Sequence, residues 1–268
     1  MRRLLDGTPM DDLAIRRLRE FEDAALRMDP KGYWLAFSGG KDSVVILDLA
    51  KRAGVRFEAV YNLTTVDPPE LVYFIRTFPE VRTSRPAETM WQLIRRNGIP
   101  PRRNARYCCK VLKERGGTGR LVITGVRWAE SNRRAKRQMS EACYQDKTKR
   151  YLHPIIDWPT SAVWEYIRER ELRYCSLYDE GFRRVGCVLC PMTRDTQKHI
   201  ARWPKIAAAW ERAVKATYDP SKVDFPDAEA YWRWWLDRRA SAADFNDYVL
   251  FEDDPAMTDE ATLAEDGH

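Results

Sequence analysis

The chain has no long hydrophobic run. Nowhere in its 268 residues do the ~18 uninterrupted apolar positions of a membrane span occur. Its first residues, Met1-Arg-Arg-Leu-Leu-Asp-Gly, lack the apolar stretch of a secretory leader. These absences argue against a membrane-spanning class and lead us to expect a cytoplasmic protein with no membrane partner. Lys and Arg are missing from Glu252 onward, where seven acidic residues stand. The formal net charge of +6 therefore rests on a body of +13, which suits phosphate-rich partners such as nucleotides or a nucleic acid. Cysteine is scarce and mostly paired: Cys108 with Cys109, Cys187 near Cys190, then Cys143 and Cys175 alone. In a cytoplasmic chain disulfides are a poor default, and metal binding or catalysis is the better one.

What is present is an alternation of strand and helix signals. Apolar positions at near-helical spacing over 10–28 predict an N-terminal helix, stopped by Asp29-Pro30. Tyr33–Phe37, Phe57–Leu63, Glu80–Arg82, Leu121–Thr124 and Tyr151–Ile155 read as strands or extended segments. Ser43–Ala53, a stretch from Pro69 to Phe78, Glu88–Asn97 and Thr160–Glu169 read as helices. The pattern predicts an α/β fold with a doubly wound parallel sheet. After Pro191 the strand signal ends, and 196–250 reads as helical and rich in Trp. The expected division is an N-terminal helix over 1–30, an α/β domain over 31–192, a helical extension over 193–251 and a disordered acidic tail over 252–268.

The most specific feature is the junction Ser38-Gly39-Gly40-Lys41-Asp42-Ser43, where a buried strand turns into a helix. A helix N-terminus offers unpaired N–H groups and the positive end of the helix dipole. Gly39 and Gly40 let the backbone approach a ligand, Ser38 and Ser43 add hydroxyls, and Lys41 adds a point charge. Such a junction cradles phosphate. It is neither the G-x-x-x-x-G-K-[ST] pattern nor G-x-G-x-x-G. Asp42 reads as a metal or water partner, or as the helix cap alone.

This loop resembles the pyrophosphate loop of the N-type ATP pyrophosphatases and, within them, the phosphoadenosine phosphosulfate reductase family. Leu121-Val-Ile-Thr-Gly-Val-Arg-Trp-Ala-Glu-Ser-Asn-Arg133, His153-Pro-Ile-Ile-Asp-Trp158 and Leu177-Tyr-Asp-Glu-Gly-Phe-Arg-Arg-Val-Gly-Cys-Val-Leu-Cys-Pro191 extend the resemblance across about 30–192. It implies a Rossmann-like, five-stranded parallel sheet with an adenine nucleotide, ATP or an adenylyl sulfonucleotide, across the strand ends. Ser38 to Ser43 would hold phosphates or a sulfate, with Mg²⁺ shielding them. Gly125 belongs to the second motif, Arg127 and Arg133 would add guanidinium contacts, and Glu130 would orient one of them or a ribose. Lys41, Asp42 and Arg127 are thus the catalytic candidates.

Four thiolates in two pairs suit Zn²⁺ or an iron–sulfur cluster. The adjacent Cys108-Cys109 with Cys187-x-x-Cys190 resembles the [4Fe–4S] site of adenylyl-sulfate reductases and of DNA phosphorothioation sulfurtransferases. Cys175, close in sequence to that site, is a candidate nucleophile or persulfide carrier, since a thiolate among arginines would have a lowered pKa. His153 and His199 carry no motif and read as structural.

The resembling reductases attack sulfate with a cysteine in a C-terminal Glu-Cys-Gly-Leu-His segment, and no cysteine follows Cys190 in this sequence. The combination fits the sulfurtransferase branch better. There ATP is cleaved between its α- and β-phosphates, an acceptor oxygen is adenylylated, and sulfur displaces AMP. DNA or tRNA would serve as acceptor, and a cysteine desulfurase or a thioredoxin-type protein as donor. The alternatives are a sulfonucleotide reductase and a non-catalytic nucleotide- or nucleic-acid-binding module that uses the Trp-rich helices as its surface.

Overall fold

The structure, a computed structural model, describes residues 2–3 and 7–237; the acidic tail expected over 252–268 lies outside them. The chain divides into two compact units, one of residues 1–87 and 112–187, the other of 88–111 and 188 onward. A linear division does not express this, because the 88–111 segment joins the C-terminal helices.

The first unit is built on β1 (Tyr33–Ala36), β2 (Phe57–Asn62), β3 (Val81–Ser84), β4 (Leu121–Ile123), β5 (Ser140–Ala142) and β6 (Arg150–Leu152). They form one sheet in the order β3-β2-β1-β4-β6-β5. All neighbours are parallel except β5, which runs antiparallel to β6. The sheet therefore has six strands where five were expected. The sixth, Ser-Glu-Ala, is a short edge strand with no buried position, so no hydrophobic alternation marks it.

The chain runs outward from β1 through β2 to β3, then returns to place β4 on the other side of β1. The order reverses between β1 and β4, the switch point at which open α/β sheets bind ligands beyond the strand carboxyl ends. The Lys41–Ala53 helix follows β1 and packs against both the Met10–Glu20 and Thr160–Glu169 helices. Enclosed in this way, it buries Val44, Val45, Ile46, Leu47, Leu49 and Ala50, on more than one face. Polar ties fix its neighbours. Arg17 forks onto Asp157 through two 2.8 Å bonds, and Arg52 bonds Asp11 at 2.7 Å and the Tyr166 hydroxyl at 3.0 Å. The helix expected over 10–28 is broken at Phe21, whose N–H turns back to the carbonyls of Arg17 and Arg19.

The second unit is helical: Met90–Asn97, Thr196–Arg202, Pro204–Lys215 and Ala228–Asp237. Thr89 and Gln92 form a capping box that starts the first of these. Trp91, Trp210, Trp232 and Trp235 form a chain of rings with centroids 5.0–5.4 Å apart. The indole N–H groups of Trp210 and Trp235 donate to the carbonyls of Val188 and Pro101. Trp203, Trp210, Trp232 and Trp235 are all buried. They are the core of this unit, which corrects the idea of an exposed tryptophan surface.

Candidate nucleotide site and the cysteine-bearing segment

β1 ends at Ala36, and buried Phe37 gives way to an exposed Ser38, then to buried Gly39 and Gly40. Gly39 adopts φ +71°, and a Cβ there would lie 2.6–2.8 Å from Leu71 and Ile75 side-chain carbons. Only glycine meets both demands. Gly40 is the N-cap of the Lys41–Ala53 helix and offers no side chain of its own to the first amides. The Ser43 hydroxyl donates to the Gly40 carbonyl at 2.8 Å and sits 3.3 Å from the Ser38 hydroxyl. The loop is thus held by its own serines.

Charge is concentrated in the first helical turn. The Asp42 carboxylate accepts from Lys41 Nζ at 3.0 Å and from Arg127 Nε at 2.7 Å. Arg127 is only 1% exposed. Its guanidinium also donates to the Trp158 carbonyl at 3.0 Å and to the Thr160 hydroxyl at 3.3 Å. The arginine expected to face a ligand instead ties the loop after β4 to the first turn of the helix. Gly125 permits that approach, since a Cβ on it would meet Asp42 Cβ at 2.8 Å and the Asp42 backbone at 3.1–3.2 Å. Glu130 accepts from the Arg127 N–H at 2.9 Å and pairs with Arg134. Arg133 is exposed on the short Asn132–Ala135 helix.

Tyr178 was missed in the sequence. Its hydroxyl accepts from the Lys41 N–H at 3.0 Å, across 137 residues of chain, and its ring lies 5.8 Å from Lys41 Nζ. Burial pushes its phenol well above the usual range, with Asp42 adding to the shift, so it stays neutral. Its place in the segment before Cys187 was the only available signal. The same segment returns at Cys187, whose thiol donates to the buried Thr64 hydroxyl at 3.3 Å, just past the end of β2.

Cys187 closes the first unit, while Cys108, Cys109 and Cys190 belong to the second. Cys108 and Cys187 are buried, and Cys109 and Cys190 half-buried. Cys109 opens a π-helical turn, Cys109–Lys113, a distortion common at functional positions. Leu189, between Cys187 and Cys190, takes a left-handed φ of 52°. Its N–H donates to His199 Nδ1 at 3.0 Å. His199 is therefore a neutral ring that anchors the turn before Cys190. Among the described residues no three His, Cys, Asp or Glu side chains are arranged to hold a metal ion. In kind, however, four cysteine thiols outside any disulfide suit a thiolate-bound iron–sulfur group. Cys175 is corrected: it is fully buried, and burial raises its thiol pKa rather than lowering it, so it is no activated nucleophile in this state.

At the carboxyl ends of β4 and β6, His153 Nδ1 lies 2.7 Å from the Thr124 hydroxyl and Nε2 lies 3.4 Å from Glu141. Burial, then the Arg137 charge, push this histidine from 6.5 to about 4, against the pull of Glu141. The unfolded chain binds the proton more tightly, so stability is lost as pH falls from about 6.5 toward 4. We expect the melting temperature of the wild type to drop across that window, and His153→Gln to flatten the drop. Equal slopes in the two proteins would assign the acid lability elsewhere.

A mostly parallel α/β sheet with a glycine loop and helix N-terminus at its switch point defines a Rossmann-like α/β fold of the kind that binds phosphate-bearing ligands there. Residues 32–193 match the phosphoadenosine phosphosulfate reductase domain, and the chain belongs to that enzyme family. It is 30% identical over 229 residues to an uncharacterized protein of Methanocaldococcus jannaschii, covering 76% of this chain and 46% of the other. It is 25% identical to the phosphoadenosine 5'-phosphosulfate reductase of Gloeobacter violaceus, over 74% of this chain and 90% of that protein. The chain spans about half the length of the two archaeal relatives it matches. A solved phosphoadenylyl-sulfate reductase from Candida auris superposes with a TM-score of 0.48 at 17% identity, covering 70% of this chain and 97% of that one.

Proposed function

We propose that the protein is a cytoplasmic pyrophosphate-loop enzyme that binds ATP or an adenylyl sulfonucleotide at Ser38–Ser43 and performs sulfur transfer. The observation that carries this reading is the bond from the Lys41 N–H to Tyr178 at 3.0 Å. It fastens the cysteine-bearing segment directly onto the anion-binding turn, so sulfur chemistry and nucleotide chemistry share a scaffold.

In this reading the phosphates lie over the Gly39-Gly40 backbone and the first helical amides, with Mg²⁺ shielding their charge. Lys41 turns from Asp42 toward them, and Asp42 stays anchored on Arg127. Transfer then has two steps. An acceptor oxygen attacks the α-phosphorus, and pyrophosphate leaves with the electrons of the α–β bond. A sulfur nucleophile next attacks the activated carbon or phosphorus, and AMP leaves. The chain's part is positioning and charge neutralisation. Cys108, Cys109, Cys187 and Cys190 would hold a [4Fe–4S] cluster, or Zn²⁺ as the alternative. When bound, the cluster supplies a redox-active, sulfur-binding centre.

The acceptor in this reading is DNA or tRNA, and the donor a cysteine desulfurase or thioredoxin-type protein. A second reading, reduction of an adenylyl sulfate, draws on the relatives named as phosphoadenosine and adenosine phosphosulfate reductases.

Titration with ATP tests the shared loop. Lys41→Ala should weaken ATP binding by roughly 1.5–3 kcal/mol, the worth of a hydrogen bond to a charged group, with little change in melting temperature. Unchanged affinity would remove the loop from the site.

A further inference from the structure

The described part of the second unit carries fourteen Lys and Arg against eight Asp and Glu. Much of that charge is tied in surface pairs, such as Arg96 with Glu88 and Lys222 with Asp219. One place differs. Arg103, Arg194, Lys198 and Arg233 line a single open groove of about 870 Å³. All four are exposed. Arg103, Arg194 and Arg233 form no ion pair among the described residues. Asp195 and Asp237 are the acidic residues of the lining, so cations outnumber anions two to one.

The groove is built on firm ground. Arg233 rides on the Ala228–Asp237 helix, which buries Tyr231, Trp232 and Trp235 on its other face. Arg194 follows Thr193, whose N–H donates to the Cys190 carbonyl at 2.8 Å and whose hydroxyl lies 3.4 Å from His199 Nε2. The cations are therefore presented from fixed backbone on three separate stretches of chain.

We propose that this groove binds the phosphodiester backbone of a nucleic acid. Three of the four cations are arginines, whose planar forks suit phosphate oxygens. Thr193, Thr196 and Gln197 add neutral donors of the kind that contact phosphate and sugar. No nine-tenths-buried side chain lines the groove, so it is not built around one small anion. Leu236 is its one large apolar residue, whereas a protein partner would call for an aromatic or aliphatic centre. Spread, solvated cations fit a repeating phosphate chain, bound by release of its counterions. The proposal goes beyond the nucleotide reading, because it needs neither the Ser38–Ser43 loop nor a cluster.

The test is fluorescence anisotropy with a labelled DNA strand of about 20 nucleotides and its duplex, at several salt concentrations. Affinity should fall with salt along a log–log slope of about −3 to −4 in whichever form binds. Arg194→Glu with Arg233→Glu should weaken binding about tenfold or more and flatten the slope by about two. Melting temperature and ATP binding should stay at wild-type values. Three results would overturn the proposal: no binding of either form at low salt, unchanged affinity and slope in the double variant, or equally tight binding of poly-glutamate. ATP binding in the same samples is read separately, so failure of the groove and failure of the loop are distinguishable.

Discussion

Arg127→Ala should destabilise the first unit by about 3–5 kcal/mol, because it removes the fully buried member of an ion pair together with its hydrogen bonds to Trp158 and Thr160. The guanidinium is 1% exposed, and its Nε lies 2.7 Å from Asp42. Its removal leaves Asp42 with Lys41 as its remaining cation among the described residues, and it leaves the Trp158 carbonyl without its 3.0 Å donor. At roughly 2–4 °C per kcal/mol for a chain of this size, the melting temperature should fall by about ten degrees. ATP affinity should fall in the folded fraction as well, since Asp42 is then free to hold Lys41 away from a phosphate. Arg127→Lys keeps the charge but cannot fork between Asp42 and Trp158, and should recover only part of the stability. Undiminished melting temperature with reduced ATP affinity would mean that the arginine serves the ligand alone, as its motif suggests.

The second large effect concerns the cysteines. Protein purified without oxygen should be brown, with iron close to four per chain and a broad band near ~400 nm of the kind thiolate-held iron–sulfur clusters show. Cys109→Ser or Cys187→Ser should bleach it. A serine oxygen is a harder and weaker ligand than a thiolate for such a group. Cys187→Ser can still bond Thr64, so loss of colour in a folded variant separates ligation from packing. Cys143→Ser and Cys175→Ser should keep the iron. Stoichiometric zinc without iron in anaerobic protein would replace the cluster by the zinc alternative.

The loop was legible because six specified residues fall where the strand gives way to the helix, and local chemistry defines a helix N-terminus. Strands β1, β2 and β4 were legible from compact apolar runs. β5 was not, because an edge strand needs only one partner and no buried face. Tyr178 escaped because its bond to Lys41 spans 137 residues, and nothing local requires a tyrosine there. Arg127 was found as a residue but not as a contact. A strand-end arginine is equally suited to a phosphate and to the carboxylate 85 positions earlier, and only the fold chooses between them. Cys175 was misread for the same reason: arginines near it in sequence do not offset the burial that tertiary packing imposes.

Nucleotide turnover tests the central claim most directly. Wild-type protein is incubated anaerobically with ATP, Mg²⁺, an inorganic sulfide source and candidate DNA or tRNA, and the nucleotide products are separated. The account predicts AMP and pyrophosphate in equal amounts, with sulfur entering the acceptor and neither product forming in Lys41→Ala. ADP and phosphate, or sulfite released from adenylyl sulfate by a thiol reductant with ATP left intact, would contradict it.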